Sequence, residues 1–235
     1  MRKFEVINLD DATATYIGLT LTDSVVDANA TSQAMSVIGI DTTGGTATTA
    51  LLNIDASAVT NTAVLTLTGG SAVDTIKGGA GADEINGGGG ADTLTGGAGK
   101  DDFASNATNG LDTITDFDWG TASTTVDQLD LSATLTTTSL ADVDLITGTV
   151  DGNTDVLILS SAAYATAELA ENAVVATNAT GEGVVIWQNS LGQVIVAHDA
   201  DMNADATGFD EELFIIEGVS ISDIASLIDT GDFIA

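Results

Sequence analysis

Four aspartates stand nine residues apart, at Asp74, Asp83, Asp92 and Asp101, and each closes a run rich in glycine. The copies around them read GGSAVDTIK, GGAGADEIN, GGGGADTLT and GGAGKDDFA. All follow the pattern G-G-x-G-x-D-x-U-x, with U a large apolar residue, except that Ala72 replaces a glycine in the first. This is the chemistry of a hard cation. Ca²⁺ takes about 6–8 oxygen ligands, and carboxylates and backbone carbonyls supply them. Glycine lets the chain turn back on itself with φ > 0 and leaves carbonyls uncovered by any Cβ. The candidate ligands are therefore Gly69, Gly70 and Asp74, then Gly78, Gly79, Gly81 and Asp83. Gly87, Gly88, Gly90 and Asp92 follow, and then Gly96, Gly97, Gly99 and Asp101.

The elements that must hold these turns are written in the same repeat. The U positions, Ile76, Ile85, Leu94 and Phe103, each sit in a short x-U-x strand, and Leu67 extends the series upstream. A fixed period of this form is the signature of a parallel β-roll that binds Ca²⁺. If each copy makes half a coil, repeats two apart stack, Gly69 on Gly87 and Gly78 on Gly96. Calcium then lies between stacked turns, sharing the aspartate of one and the carbonyls of the other. A flexible glycine-rich linker would not keep an apolar residue in register.

Composition narrows the field. The 235 residues carry 35 acidic side chains against four basic ones, a formal net charge of -31. Nucleic acid is excluded as a partner, because phosphate binding needs clustered Lys and Arg. Yet hydrophobic residues make up 44% and mean hydropathy is positive, which is not the make-up of a disordered acidic tail. Such a chain buries a core against the repulsion of its own carboxylates, and bound calcium relieves that repulsion. Cysteine is absent, so neither disulfides nor thiolate sites hold the fold. Proline is absent too, which suits uninterrupted β-structure. No apolar run of about 20 residues appears, so membrane insertion is not expected. Met1-Arg2-Lys3-Phe4-Glu5 leads into no apolar signal-peptide segment.

Away from the repeats the chain reads as β-structure in short runs. Residues 1–60 form a Thr/Ala-rich segment, with Phe4 to Leu9 and Ala34 to Ile40 as strands and Asp41 to Gly45 as a turn. The segment is either a degenerate continuation of the roll or the edge of a longer protein. Residues 61–117 are the calcium-binding roll, and residues 118–235 a β-rich cap. In the cap, Val156–Leu159, Val184–Trp187, Val194–Ala197 and Leu213–Ile216 read as strands, with a hairpin turn at Asn189-Ser190-Leu191-Gly192. Short helices are expected over 162–170 and 222–229. Trp119, Trp187, Tyr16 and Tyr164 read as core. Asp199, Asp201, Asn203 and Asp205 have the D-x-D-x-N-x-D spacing of an EF-hand-type loop, with Asp210 at position 12. Ala204, however, occupies the position where that loop needs glycine, and a solvated acidic turn is the competing reading.

With these motifs the chain resembles the RTX (repeats-in-toxin, haemolysin-type calcium-binding) family. Gly110-Leu111-Asp112-Thr113-Ile114-Thr115-Asp116-Phe117 and Asp127-Gln128-Leu129-Asp130-Leu131-Ser132 are similar to the blocks that close the β-roll in serralysin-type proteins. The resemblance adds Asp112 and Asp116 as metal ligands, with Asp127 and Asp130 as further candidates. Upstream, Asn53 to Gly70 is similar to Thr/Ala-rich surface-layer proteins with RTX repeats. Thr230-Gly231-Asp232-Phe233-Ile234-Ala235 resembles the uncleaved type I secretion signal of the family, a reading compatible with its also being a last strand on a sheet edge.

Catalysis finds little material. A single histidine, His198, excludes the H-E-x-x-H metalloprotease pair, and no G-x-S-x-G elbow occurs. Aromatic residues are 4% of the chain, too few for a well-furnished substrate cleft. The expectation is an all-β protein with no enzymatic activity: a calcium-stabilised parallel β-roll with flanking β-rich segments and one or two short helices. It is expected to be secreted or on the cell surface, with Ca²⁺ as cofactor. Its expected partners are further copies of itself, the type I secretion machinery and cell-surface polysaccharide. The function read from this is a surface-layer or similar extracellular assembly subunit. The alternative is the export and folding module of a larger secreted enzyme or adhesin.

Overall fold

Short strands feed alternately into two sheets that lie face to face. The computed structural model describes residues 6–9, 16–29, 34–41, 46–47, 50–105, 110–120, 126–133, 143–145, 156–165, 170, 183–199, 211–222, 224 and 233–234. One sheet runs, in spatial order, through β1 (Val6–Asn8), β3 (Ala34–Ile38), β7 (Val64–Thr68), β9 (Glu84–Asn86), β11 (Asp102–Ala104), β13 (Gln128–Asp130) and β19 (Phe233–Ile234). Every neighbouring pair in it is parallel. The second sheet begins with β2 (Tyr16–Thr22), β6 (Leu51–Ala58), β8 (Thr75–Lys77), β10 (Thr93–Thr95), β12 (Asp112–Ile114) and β18 (Glu211–Ile216). These too pair in parallel. It then continues through β17 (Val194–Asp199), β16 (Gly183–Asn189), β15 (Val156–Tyr164) and β14 (Val143–Leu145). A separate two-stranded hairpin joins β4 (Ile40–Asp41) to β5 (Thr46–Ala47).

The register explains the spacing. Thr75 faces Thr93 and Glu84 faces Asp102, so repeats two apart stack and each nonapeptide is half a coil. Because side chains alternate across a strand, the U residue of each x-U-x triplet points inward. Ile54, Ile76, Leu94, Ile114 and Ile216 form one continuous column. Leu67, Ile85, Phe103 and Leu129 form the column facing it. All nine are fully buried. Phe117 extends this core sideways, its ring 5.9 Å from Phe103 and 4.4 Å from Trp119. The strand columns also continue upstream of the nonapeptides, where β6 pairs with β2 and β7 with β3.

The four strands expected in the cap are present, but they close the roll differently. β16, β17 and β18 are antiparallel neighbours. Asn189 builds the β16–β17 turn: its Oδ1 accepts the Leu191 and Gln193 N–H groups, and Gly192 takes φ +83°. Here the sheet is apolar on both faces. Val184, Ile186, Val194 and Val196 join the main core, while Leu157, Leu159, Val185, Trp187 and Ile195 form a second cluster with Ala170.

Three expectations are corrected. The helix expected from Ala162 begins instead as strand, since β15 runs to Tyr164 and pairs Ala163 with Gln188 after a register shift. Ladder hydrogen bonds outweigh the helix preference of the alanines. Residues 166–169 lie outside the described residues, as do most of 222–229. Conversely, α1 (Asp23–Asn29) is a helix where only strands were expected. Val26 anchors it in the core, and the Asp23 carboxylate accepts N–H from Thr60 and Asn61 and the Thr60 hydroxyl. Lastly, Tyr16 is 59% exposed rather than core, at the start of the edge strand β2.

The fully buried columns predict where stability resides. Phe103→Ala should cost about 3–5 kcal/mol through lost burial and an unfilled cavity. Val73→Ala, at a side chain 56% exposed, should stay within about 0.5 kcal/mol. Urea denaturation of both variants in saturating calcium measures the difference.

Candidate metal centre

The repeat aspartates do not face solvent. Asp74, Asp83, Asp92, Asp101 and Asp112 are each at most 2% exposed, and Asp127 is 3% exposed. They form two ladders running along the roll. In one, Asp92 Oδ1 accepts the Asp74 N–H at 2.7 Å and Asp112 Oδ1 accepts the Asp92 N–H at 2.9 Å. In the other, Asp101 Oδ1 accepts the Asp83 N–H at 2.8 Å and Asp127 Oδ1 accepts the Asp101 N–H at 2.9 Å. Each carboxylate thus ties its own turn to the turn one coil before. Asp74 and Asp83 end the ladders upstream on the N–H groups of Leu52 and Leu65.

The turns stack as tightly as the ladders. Gly90 has φ +117°, and a Cβ there would stand 2.5 Å from the Ala72 carbonyl oxygen. Gly88, at φ +90°, lies as close over the Gly70 carbonyl. The carbonyls of one turn therefore crowd the backbone of the next, and a side chain at either position would push them apart. Ala72, the one alanine in the series, lies beneath that contact.

Comparison with known proteins agrees with this geometry. The sequence model for the RTX calcium-binding nonapeptide repeat matches residues 68–103 in four copies. This stretch of the chain is an array of RTX calcium-binding repeats. No curated protein and no solved structure matches it. RTX nonapeptide repeats bind calcium, and the residues present here fit that ion. Among the described residues no three Asp, Glu or His side chains converge on one point. A cation between RTX turns must then take most of its ligands from backbone carbonyls, as a glycine-built site allows. The orphaned groups point the same way, for Asp92 Oδ2 and Asp112 Oδ2 are buried with no hydrogen-bond partner.

The other expected site residues fall unevenly. Asp116 is exposed and accepts the Gly96 and Gly97 N–H groups at 2.8 and 2.9 Å, which places it on the RTX turns. Asp130 accepts the Ser132 N–H, outside both ladders. Asp199 ends β17 opposite Gly183 and belongs to neither ladder. Asp201, Asn203 and Asp205 lie outside the described residues. His198, beside Asp199, is buried in β17 opposite Glu211. Sequence spacing did not mark Leu52, Leu65 or Asp118 as ladder partners, because they contribute backbone N–H groups and any residue type can do so.

Burial raises the pKa of all six ladder aspartates. Without metal, desolvation pushes Asp83 up to about 6 and Asp101, Asp112 and Asp127 up to about 7. Asp92 reaches about 8, first through burial and then through the charges of Asp112 and Asp74. The unfolded chain gives up these protons near about pH 4, whereas the folded, calcium-free chain holds them until pH 6–8. The folded state therefore binds more protons in that window, and its metal-free stability falls as pH rises through it. Calcium needs the carboxylates ionised, so binding near pH 7 should expel protons. Calorimetric calcium titrations in two buffers of different ionisation enthalpy should give different heats. Identical heats would show that the carboxylates are already ionised before calcium arrives.

Proposed function

We propose that this chain is a secreted structural protein whose folding and self-association are both gated by calcium, as an extracellular assembly subunit of surface-layer type. The observation that carries the reading is the pair of buried carboxylate ladders flanked by stacked turn carbonyls. Charge left uncompensated in such a place opposes folding strongly. With no cysteine in the chain, no disulfide substitutes for metal binding, and binding free energy becomes folding free energy. The repeat aspartates and the Gly-turn carbonyls are the proposed ligands, with Asp112 and Asp116 extending them.

Self-association is supported by the sheet edges. Among the described residues, β1 and β2 end their sheets at one side of the roll and β14 and β19 at the other. Unpaired edges are templates for further strands. The residues that usually block them are scarce, with no proline and four basic side chains in the whole sequence. Val6, Tyr16 and Leu51 are 45–59% exposed near the N-terminal edge. Acidic surfaces hold copies apart until calcium screens or bridges them. Circular dichroism and light scattering, followed together over a calcium series from micromolar to about ten millimolar, test both parts. EGTA should abolish β-structure, and calcium should restore it and then raise scattering. A spectrum indifferent to chelation would overturn calcium-coupled folding. A folded protein that stays monomeric throughout would favour the export-module reading instead.

Export through type I machinery accords with the RTX family, and a repulsive chain unfolded at low cytosolic calcium is suited to threading. No helix among the described residues is long and apolar enough to cross a membrane. Co-expression with a type I exporter should deliver the chain to the culture medium. Retention inside the cells would count against this route.

A further inference from the structure

The two ends of the stack are built differently. Upstream, β1 ends one sheet and β2 the other, and the two follow each other in the chain, so both sheets stop at the same coil. Downstream, β19 ends its sheet on β13, while the other sheet runs on past β18 through β17, β16, β15 and β14. One end is flush and the other is a step. The flush end also leaves its last core layer incompletely covered. Ile7, Ile17 and Leu19 pack on the core but are only partly buried. Their neighbours one strand further in, Val37, Leu52 and Ile54, are at most 2% exposed. On the outer face Tyr16 stands beside Leu51, the pair 59% and 45% exposed.

Charge says what can cover this end. Neither strand, VIN in β1 and YIGLTLT in β2, carries a charged side chain. Two copies of a chain with net charge -31 repel each other over most of their surfaces, and an uncharged strand pair is where they approach most easily. Backbone groups are available there. Leu9 N–H is donated to the Ile38 carbonyl at 2.8 Å, and successive peptide groups of a strand point to opposite edges. Those of Val6 and Asn8 therefore point away from β3, as the open ladder of an edge. The flanking sequence sets the direction of pairing. Arg2 and Lys3 precede β1, Asp10 and Asp11 follow it, and with Glu5 counted the leading side is still net positive. An antiparallel neighbour sets the basic side of one strand beside the acidic side of the other, whereas a parallel neighbour sets like beside like.

We infer that the upstream end of the roll is a docking surface for the same end of a second copy of this chain. β1 pairs antiparallel with β1 of the partner, and β2 with β2. Because the sheets lie face to face, one two-fold axis normal to both generates the two pairings together. Ile7, Ile17 and Leu19 then gain the layer they lack. Such an interface uses the same patch on both copies and closes on itself, so this end gives a dimer and not a filament. Head-to-tail stacking would instead have to seat a flush end on a step. The inference deepens the self-association reading and rests on it: any larger assembly is built from these dimers.

Light scattering coupled to size-exclusion chromatography, on the full chain in saturating calcium, should give the mass of two chains. Tyr16→Lys and Val6→Lys together bring like charges face to face near the axis and should weaken the dimer by at least about tenfold. Leu191→Lys, at a side chain 82% exposed in the β16–β17 turn, should leave it unchanged. Circular dichroism checks that each variant folds. A second measurement does not depend on those variants. The chain has no cysteine, so Asn8→Cys carries a single nitroxide label, and its two copies should show strong dipolar broadening beside the axis. A wild type that stays monomeric would overturn both self-association and this interface. A wild type that associates, with no broadening or with edge variants as tightly associated as before, would overturn only the head-to-head interface.

Discussion

A carboxylate buried once in every half coil is the constraint from which the rest of the roll follows. Each one needs donors, and it finds the N–H of the aspartate one coil earlier. That bond sets the rise between coils as firmly as the strand pairing does. Its negative charge is another matter, because a hydrogen bond satisfies an oxygen without neutralising it. Burial of an uncompensated charge costs far more than one hydrogen bond returns. Without metal, burial favours the protonated form of these carboxylates, and a bound cation would favour the ionised one. The residues that keep the coils in register are thus the ones whose charge a bound cation would offset.

Glycine and the single apolar residue per strand serve this arrangement. Three-residue strands such as Glu84–Asn86 bury one side chain each, and no half coil has a core of its own. Stability accrues by stacking, as in other quasi-one-dimensional folds. The stack must then end somewhere. Upstream, the same parallel pairing passes into β6 and β2, whose turns lack the metal-binding pattern. Downstream, β18 stacks on β12 in parallel and hands the sheet over to an antiparallel meander. There the apolar residues no longer alternate with polar ones, so a second cluster covers the outer face.

The places where sequence reasoning went astray share a physical cause. α1 lies in a stretch with two β-branched valines, which lower helix preference. It forms because Val26 finds the core and Asp23 finds the 60–61 loop, partners more than thirty residues away. Ala162 to Tyr164 looked helical because of its alanines, but β16 offers it a ladder. Tyr16 was assigned to the core by type alone, yet its strand ends a sheet. In each case the deciding contact is distant in the chain and leaves no local trace.

The repeat itself was legible without coordinates. Period, glycine placement and the apolar U position carry the half-coil geometry, the stacking of copies two apart and the preference for a hard cation. Those properties belong to each nine-residue unit and to its neighbour, so sequence by itself determined them. The inequality among the aspartates was settled only in three dimensions. Asp74, Asp83 and Asp92 occupy the same position of the same pattern, but Gly70 and Gly79 turn their N–H groups to the carboxylate and Gly88 turns its own to Asn86. Which oxygen is left open depends on where a backbone donor points once the coils have stacked, and donor direction is a property of the assembled turn rather than of any residue in it.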